Sequence, residues 1–235
     1  MLRALDDQIR MPDCQSLSFE ERLGLLVDRE VAERQSRQLA TRLKRARLRQ
    51  PASPEDVDFC HPRGLDRAQF LALCSCQWIQ DRDNLILTGP TGVVKTYLAC
   101  ALAHKACREG CSVHYTRTTR LLGELSVARA DGTYARRLAA LARTHLLVLD
   151  DWEIAPLTGE QRRDLLEILD DRYDRRATLV AAQLPAEHWH EYIADPTIAD
   201  AILDRLIHNA HKIPLSGESM RKLRPAGAAR AKELN

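Results

Sequence analysis

The segment that most constrains this chain is Leu85-Ile86-Leu87-Thr88-Gly89-Pro90-Thr91-Gly92-Val93-Val94-Lys95-Thr96. A short apolar run enters a glycine-containing turn, the turn ends in Lys-Thr, and a helix-forming stretch follows. Such a turn needs a strand before it and a helix after it, because backbone N–H groups and the helix N-terminus must converge on one anion. The full phosphate-loop pattern is G-x-x-x-x-G-K-[ST]. Gly89, Lys95 and Thr96 fit it, and Val94 stands where the second glycine is required.

The rest of the chain alternates in the way this turn demands. Asn84–Thr88 reads as a strand, and Lys95 to Glu109 as a helix stopped by Gly110. Ser112–Thr116 is a strand, and Arg120–Arg143 is helical around an Asp131-Gly132 turn. His145–Leu149 is a wholly apolar strand, Thr158–Arg172 a helix, Thr178–Ala182 a strand, and Lys212–Leu215 a candidate last strand. Strands separated by helices imply a parallel sheet with helices on both faces, an α/β fold. Ahead of it, residues 1–50 read as a helical region. Ser18 and Glu21 make a capping box before the apolar run Leu23, Leu26, Val27, Val31. Pro51-Ala52-Ser53-Pro54 then breaks the helix. The expected organisation is a helical region 1–50, a linker 51–64, and a core 65–235 that opens with a helix at Leu65–Gln80.

Over 235 residues, 35 basic side chains against 33 acidic ones leave a net charge of +2. That excludes a uniformly basic nucleic-acid binder but not a local patch. One exists: from Arg34 to Arg49 there are seven basic residues and no acid, while Leu39, Leu43 and Ala46 keep an apolar stripe. Seven like charges repel one another unless an anion is near. Arg42, Lys44, Arg45, Arg47 and Arg49 are therefore candidate contacts to duplex DNA phosphates; the other reading is a solvated helix face. Aromatics at 5% supply few platforms for stacking single-stranded bases. No apolar run reaches 18 residues, and Met1–Met11 lacks the apolar core of a signal peptide, so a cytoplasmic protein with no membrane association is expected. The seven cysteines lack paired zinc spacing and read as free thiols. His104, Cys107 and Cys111 share a helix face, but no fourth ligand lies nearby.

The loop chemistry assigns roles. The backbone from Gly89 through Pro90, Thr91, Gly92, Val93 and Val94 would cradle the phosphates of ATP. Lys95 would reach the β- and γ-phosphates, and the Thr96 hydroxyl would bind Mg²⁺. Glycine before the lysine removes the Cβ where backbone and phosphate come closest. Valine adds a stiff branched side chain there, which should crowd the phosphates or move the loop. Leu146–Asp151 is an apolar strand ending in two acids. Asp150 would hold the Mg²⁺ water shell and Asp151 would polarise the attacking water. Two acids at a strand end also serve as helix caps, so it is the phosphate loop upstream that favours the metal reading. Gln183 ends the next strand and either contacts the γ-phosphate or caps the following helix.

With these residues in view, the chain resembles the IstB-like ATP-binding proteins that assist transposases of bacterial insertion sequences, which are similar to DnaC-type helicase loaders within the AAA+ class. The resemblance is carried by Leu17–Glu30, Pro62–Arg67, the phosphate-loop segment through Ala103–Gly110, Leu149–Trp152, Leu157–Leu169, Asp195–His211 and Gly217–Arg221. It implies a P-loop NTPase core that binds ATP between neighbouring subunits of a homo-oligomer. It also implies an N-terminal region that helps assembly and DNA contact, and transfer of bent target DNA to the transposase of the same element. By the same resemblance, Arg205 matches an arginine finger offered to the next subunit, and Arg221 a second sensor. Taken without the resemblance, Arg205 reads as a salt-bridge partner of Asp200 or Asp204 on its own helix rather than as a finger. A replicative helicase loader shares the ATP site, and a DNA-binding assembly protein with an impaired nucleotide site is the remaining alternative. Three positions depart from the family pattern: Val94 for glycine, Glu153 for glycine after Asp-Asp-Trp, and Ala182 for a small hydroxyl residue before Gln183.

Overall fold

Five segments form the strands of one parallel sheet: β1 (Asn84–Thr88), β2 (Val113–Arg117), β3 (Leu146–Asp150), β4 (Ala177–Ala182) and β5 (Ala210–Pro214), in the order β2-β3-β4-β1-β5. The computed structural model describes residues 2–10, 17–153 and 155–217. The inner strands β1, β3 and β4 are buried on both faces, and alternate side chains divide the core in two. Leu85, Leu87, Leu146, Val148, Leu179 and Ala181 face one layer. Ile86, Leu147, Leu149, Val180 and Ala182 face the other.

Helix α5 (Lys95–Arg108) packs in the first layer. Its buried residues are nearly all small (Ala99, Cys100, Ala101, Ala103, Ala106, Cys107), which brings its axis close to the sheet. Burial pushes the Cys107 thiol up to about 11, so it packs as a small neutral side chain. The same layer holds α3 (Arg67–Leu73) and α4 (Gln77–Gln80). The expected single helix over Leu65–Gln80 is thus two, broken where Cys76 adopts a left-handed φ of 59°. The second layer is built from α6 (Thr118–Ala130), α7 (Tyr134–Arg143), α8 (Gly159–Arg172), α9 (Trp189–Ile193) and α10 (Pro196–Ile207). Thr158 and Gln161 close a capping box on α8, and Asp195 with Pro196 starts α10.

Residues ahead of the core form α1 (Leu2–Arg10) and α2 (Phe19–Ala46). The Ser18–Glu21 capping box is present. Asp7 pairs with Arg29 at 2.7 Å, laying α1 along the first half of α2. That half leaves Phe19, Leu23, Val27 and Val31 exposed; only the second half meets the core, through Leu39, Leu43 and buried Ala46. The helix stops at Ala46 because Arg47 turns into the left-handed region (φ 54°), so Arg47 and Arg49 lie beyond it. The segment that follows is packed rather than free, with Ala52, Pro54, Val57 and Arg63 buried.

Candidate nucleotide site

Parallel register brings the functional segments to one end of the strands. Arg117 lies opposite Asp150, and Thr88 opposite Ala182, so the phosphate loop, both acids and Gln183 all emerge at the C-terminal ends of their strands. This is where open α/β sheets bind ligands.

The loop itself shows which residues the geometry requires. Gly89 has φ 144°, and a Cβ there would lie 2.3 Å from the Leu215 carbonyl oxygen; the Leu215 N–H donates to Thr88 O at 2.7 Å, fixing that close crossing. Val94 is the last residue before α5 and has φ 63°, ψ 29°. A β-branched side chain is strained in this left-handed conformation, whereas glycine adopts it freely. The misfit in the pattern is therefore also a misfit in the backbone.

Lys95 Nζ donates to the carbonyls of Gly89 and Pro90, turning back along the loop. Burial lowers its pKa, and Glu153, Asp150 and Asp151 oppose that shift. Thr91 Oγ1 donates to Gln183 Oε1 at 3.0 Å, so Gln183 touches the phosphate loop across the β1–β4 pair.

Thr96 Oγ1 donates to Asp150 Oδ2 at 2.9 Å. Asp150 is buried. Its Oδ2 also accepts from the Tyr115 hydroxyl at 2.5 Å, whose own pKa is pushed up by burial and by that carboxylate. A hydroxyl and a buried carboxylate this close are the hard oxygen donors that Mg²⁺ takes while keeping water elsewhere in its shell. Asp151 stands in a left-handed turn (φ 56°) and faces Arg49 Nη1 at 3.4 Å and Arg117 Nε at 3.5 Å. Glu153 also reaches the site. One oxygen accepts from the Leu184 N–H, and the other is buried with no hydrogen-bond partner among the described residues. Burial raises its pKa against the pull of backbone donors and Lys95.

Arg205 lies elsewhere. Its Nε donates to Asp170 of α8 at 2.5 Å and its Nη1 to Ala201 O at 2.9 Å; neither Asp200 nor Asp204 is its partner. Its carbonyl accepts from Asn84, the first residue of β1. Arg205 is thus at the opposite end of β1 from the loop that follows it, about 16 Å away along a five-residue strand. Arg221 falls outside the described residues.

The basic run is not uniformly free. Arg42 Nε donates to Cys107 O at 2.9 Å near the end of α5, and Arg49 is paired with the acids. Lys44, Arg45 and Arg47 are exposed and make no ion pair among the described residues. The expectation that nothing local neutralises this run fails for Arg49, because the chain leaves the helix two residues earlier and turns toward β3. The sequence offers Arg49 as a DNA contact rather than as a partner of these acids; Tyr115 and Arg117 are the site residues that sequence reasoning missed. Their signal is strand order: with β2 beside β3, a polar or basic residue ending β2 must meet the acids ending β3.

A parallel sheet in the order β2-β3-β4-β1-β5, with a phosphate loop after β1 and Thr96 against a strand-end acid, is the P-loop fold of the AAA+ class. The chain belongs to the family of IstB-like ATP-binding proteins, whose pattern matches residues 1–228. It is 54% identical over 222 residues to a protein of Sinorhizobium fredii (strain NBRC 101917 / NGR234) named as an insertion sequence ATP-binding protein, covering 94% of this chain and 91% of that one. A protein of Mycobacterium tuberculosis, named as an ATP-binding protein in an insertion sequence, is 32% identical over 228 residues, covering 97% of this chain and 91% of that one. In fold the chain is similar to DnaI (TM-score 0.62, 22% identity, 72% of this chain and 92% of that one) and to the DnaC helicase loader (TM-score 0.55, 18% identity, 67% and 94%). No helix among the described residues is long and apolar enough to cross a membrane.

Proposed function

We propose that the protein is a Mg²⁺-dependent ATPase that assembles on duplex DNA and prepares it for the transposase of the same insertion sequence. The observation that carries this reading is the 2.9 Å contact of Thr96 with buried Asp150 beside Lys95, in a chain of this family. Thr96 and Asp150 would hold Mg²⁺, which would supply neutralisation of the phosphate charge. Lys95 exchanges its contacts with Gly89 and Pro90 for phosphate oxygens. Asp151 accepts a hydrogen bond from the attacking water and orients it. Gln183 contacts the terminal phosphate in this reading, supported by its hydrogen bond with Thr91 of the loop. Arg205 is too far from its own loop to serve it, which supports a role in the site of the next subunit, with Arg221 as a further contact.

The alternative of a DNA-binding assembly protein with an impaired site has one specific support, the left-handed Val94 at the loop's tightest point. Steady-state ATP turnover with and without duplex DNA separates the two. DNA-stimulated turnover that Lys95→Ala abolishes supports the first reading. Absence of turnover in both the native protein and Val94→Gly overturns it.

A further inference from the structure

The segment after α2 carries a charge into the nucleotide site that ATP chemistry does not need. Arg49 Nη1 lies 3.6 Å from Asp150 Oδ2 and 3.4 Å from Asp151 Oδ2. The same Asp150 oxygen receives Thr96 and Tyr115. A carboxylate buried this deeply needs a positive partner, and a divalent cation held by Thr96 and Asp150 would take that role from the guanidinium. Arg49 is 37% exposed. On its other side it lines an open cleft of about 400 Å³, whose further cations are Arg47, Arg117 and Arg120, with Glu124 as the acid. Exposed Lys44 and Arg45 close α2 just before it.

We propose that Arg49 is a counter-charge shared between the metal site and DNA. Without a divalent cation it neutralises Asp150 and Asp151; when the cation binds, it turns outward and joins Arg47 on a backbone phosphate of duplex DNA. Arg117 keeps Asp151 paired in both arrangements. Cation and DNA then strengthen each other's binding by the same factor, because linkage is reciprocal. This rests on the reading of Lys44 to Arg49 as duplex contacts.

The test uses Mn²⁺ alone as the probe, read by loss of the free-ion paramagnetic resonance signal on the full chain. Arg49→Gln should bind Mn²⁺ at least fivefold tighter than the native protein, and Asp150→Asn should abolish that gain. Arg49→Lys, which keeps the charge, should remain close to native. Equal Mn²⁺ affinity in the native protein and Arg49→Gln would overturn the proposal. A linkage measurement on the native protein stands even if Arg49→Gln folds poorly: duplex DNA should tighten Mn²⁺, and Mn²⁺ should tighten DNA by an equal factor that Asp150→Asn removes. DNA that binds without moving Mn²⁺ affinity would also overturn it. A chain that binds no DNA at all refutes the duplex reading instead, and the Mn²⁺ comparison alone then decides whether Arg49 competes with the cation.

Discussion

Replacing Val94 with glycine tests the strain and the nucleotide arguments together. A left-handed backbone costs an L-residue about 1–2 kcal/mol, and glycine escapes that cost. Against this, glycine adds unfolded-state freedom of about 0.5–1 kcal/mol. The half-buried isopropyl group forfeits roughly half of the ~1.5 kcal/mol that a fully buried valine contributes. These contributions nearly cancel, so Val94→Gly should change stability by less than about 1 kcal/mol, which is roughly 2–4 °C in melting temperature for a chain of this size. ATP–Mg²⁺ affinity should rise by about 2 kcal/mol or more, roughly thirtyfold, as loop N–H groups regain charge-assisted contacts that the branched side chain holds off. Urea denaturation measures the first quantity and calorimetric titration the second. A loss of stability beyond about 2 kcal/mol would show that valine is not strained at this φ. Equal micromolar binding by the two forms would show that the loop accommodates the branch.

The Lys44→Ala, Arg45→Ala double variant should flatten the slope of log DNA affinity against log salt by about 1.8, with little change in sequence preference; an unchanged slope removes these residues from the interface. In a Val94→Gly background, Arg205→Ala should spare ATP binding and abolish turnover, and mixing it with Lys95→Ala should restore part of the rate through composite sites; normal hydrolysis by Arg205→Ala alone refutes the role in trans. Glu153, whose pKa is raised by burial, bears its desolvation cost only when ionised, so Glu153→Gln should stabilise the fold at pH 8 and lose that advantage as the pH falls through the raised value toward the ordinary carboxylate range. Thermal unfolding across pH reads this, and a gain as large at pH 4.5 as at pH 8 refutes it. Arg172→Met should cost about 3 kcal/mol, because buried Arg172 donates to the carbonyls of Leu141, Thr144 and Ala177; a change under 1 kcal/mol would show that water satisfies them.

What the sequence revealed depended on how local each feature is. Strand ends came within one or two residues because apolar runs between glycine and charged residues have few alternatives: Asn84–Thr88 is one case and Ala177–Ala182 another. The acids at 150 and 151 and the Lys95-Thr96 pair were legible because a strand, a loop and a helix start are each contiguous. The Arg49 contact was not, since Arg49 and Asp151 are 102 residues apart and meet only through the β2-β3 pairing and the turn at Arg47. The partner of Arg205 was misjudged for the same reason: Asp200 and Asp204, five and one residues before it on the same helix, do not share its face, and Asp170 on the neighbouring α8 pairs with it instead. The first half of α2 shows the converse. Its apolar spacing reads as a buried face, yet the helix runs past the sheet there and leaves Phe19 and Val31 exposed.

The two ends of the strands bear on how copies of the chain would meet. The phosphate loop leaves the C-terminal end of β1, while Arg205 is held against the first residue of the same strand. If Arg205 serves a nucleotide, each copy must use one end of the strands as donor and the opposite end as acceptor. Such a contact is heterologous, so it cannot close as a two-fold dimer; it continues from copy to copy until a ring closes or a helical filament grows. The Asp170 ion pair and the Ala201 carbonyl already fix the direction of the Arg205 guanidinium, which lowers the side-chain entropy lost when the next copy docks. A chain arranged in this way would add subunits along an extended partner, and Lys44, Arg45 and Arg47 would then repeat once per subunit, matching a polyanion whose phosphates also repeat.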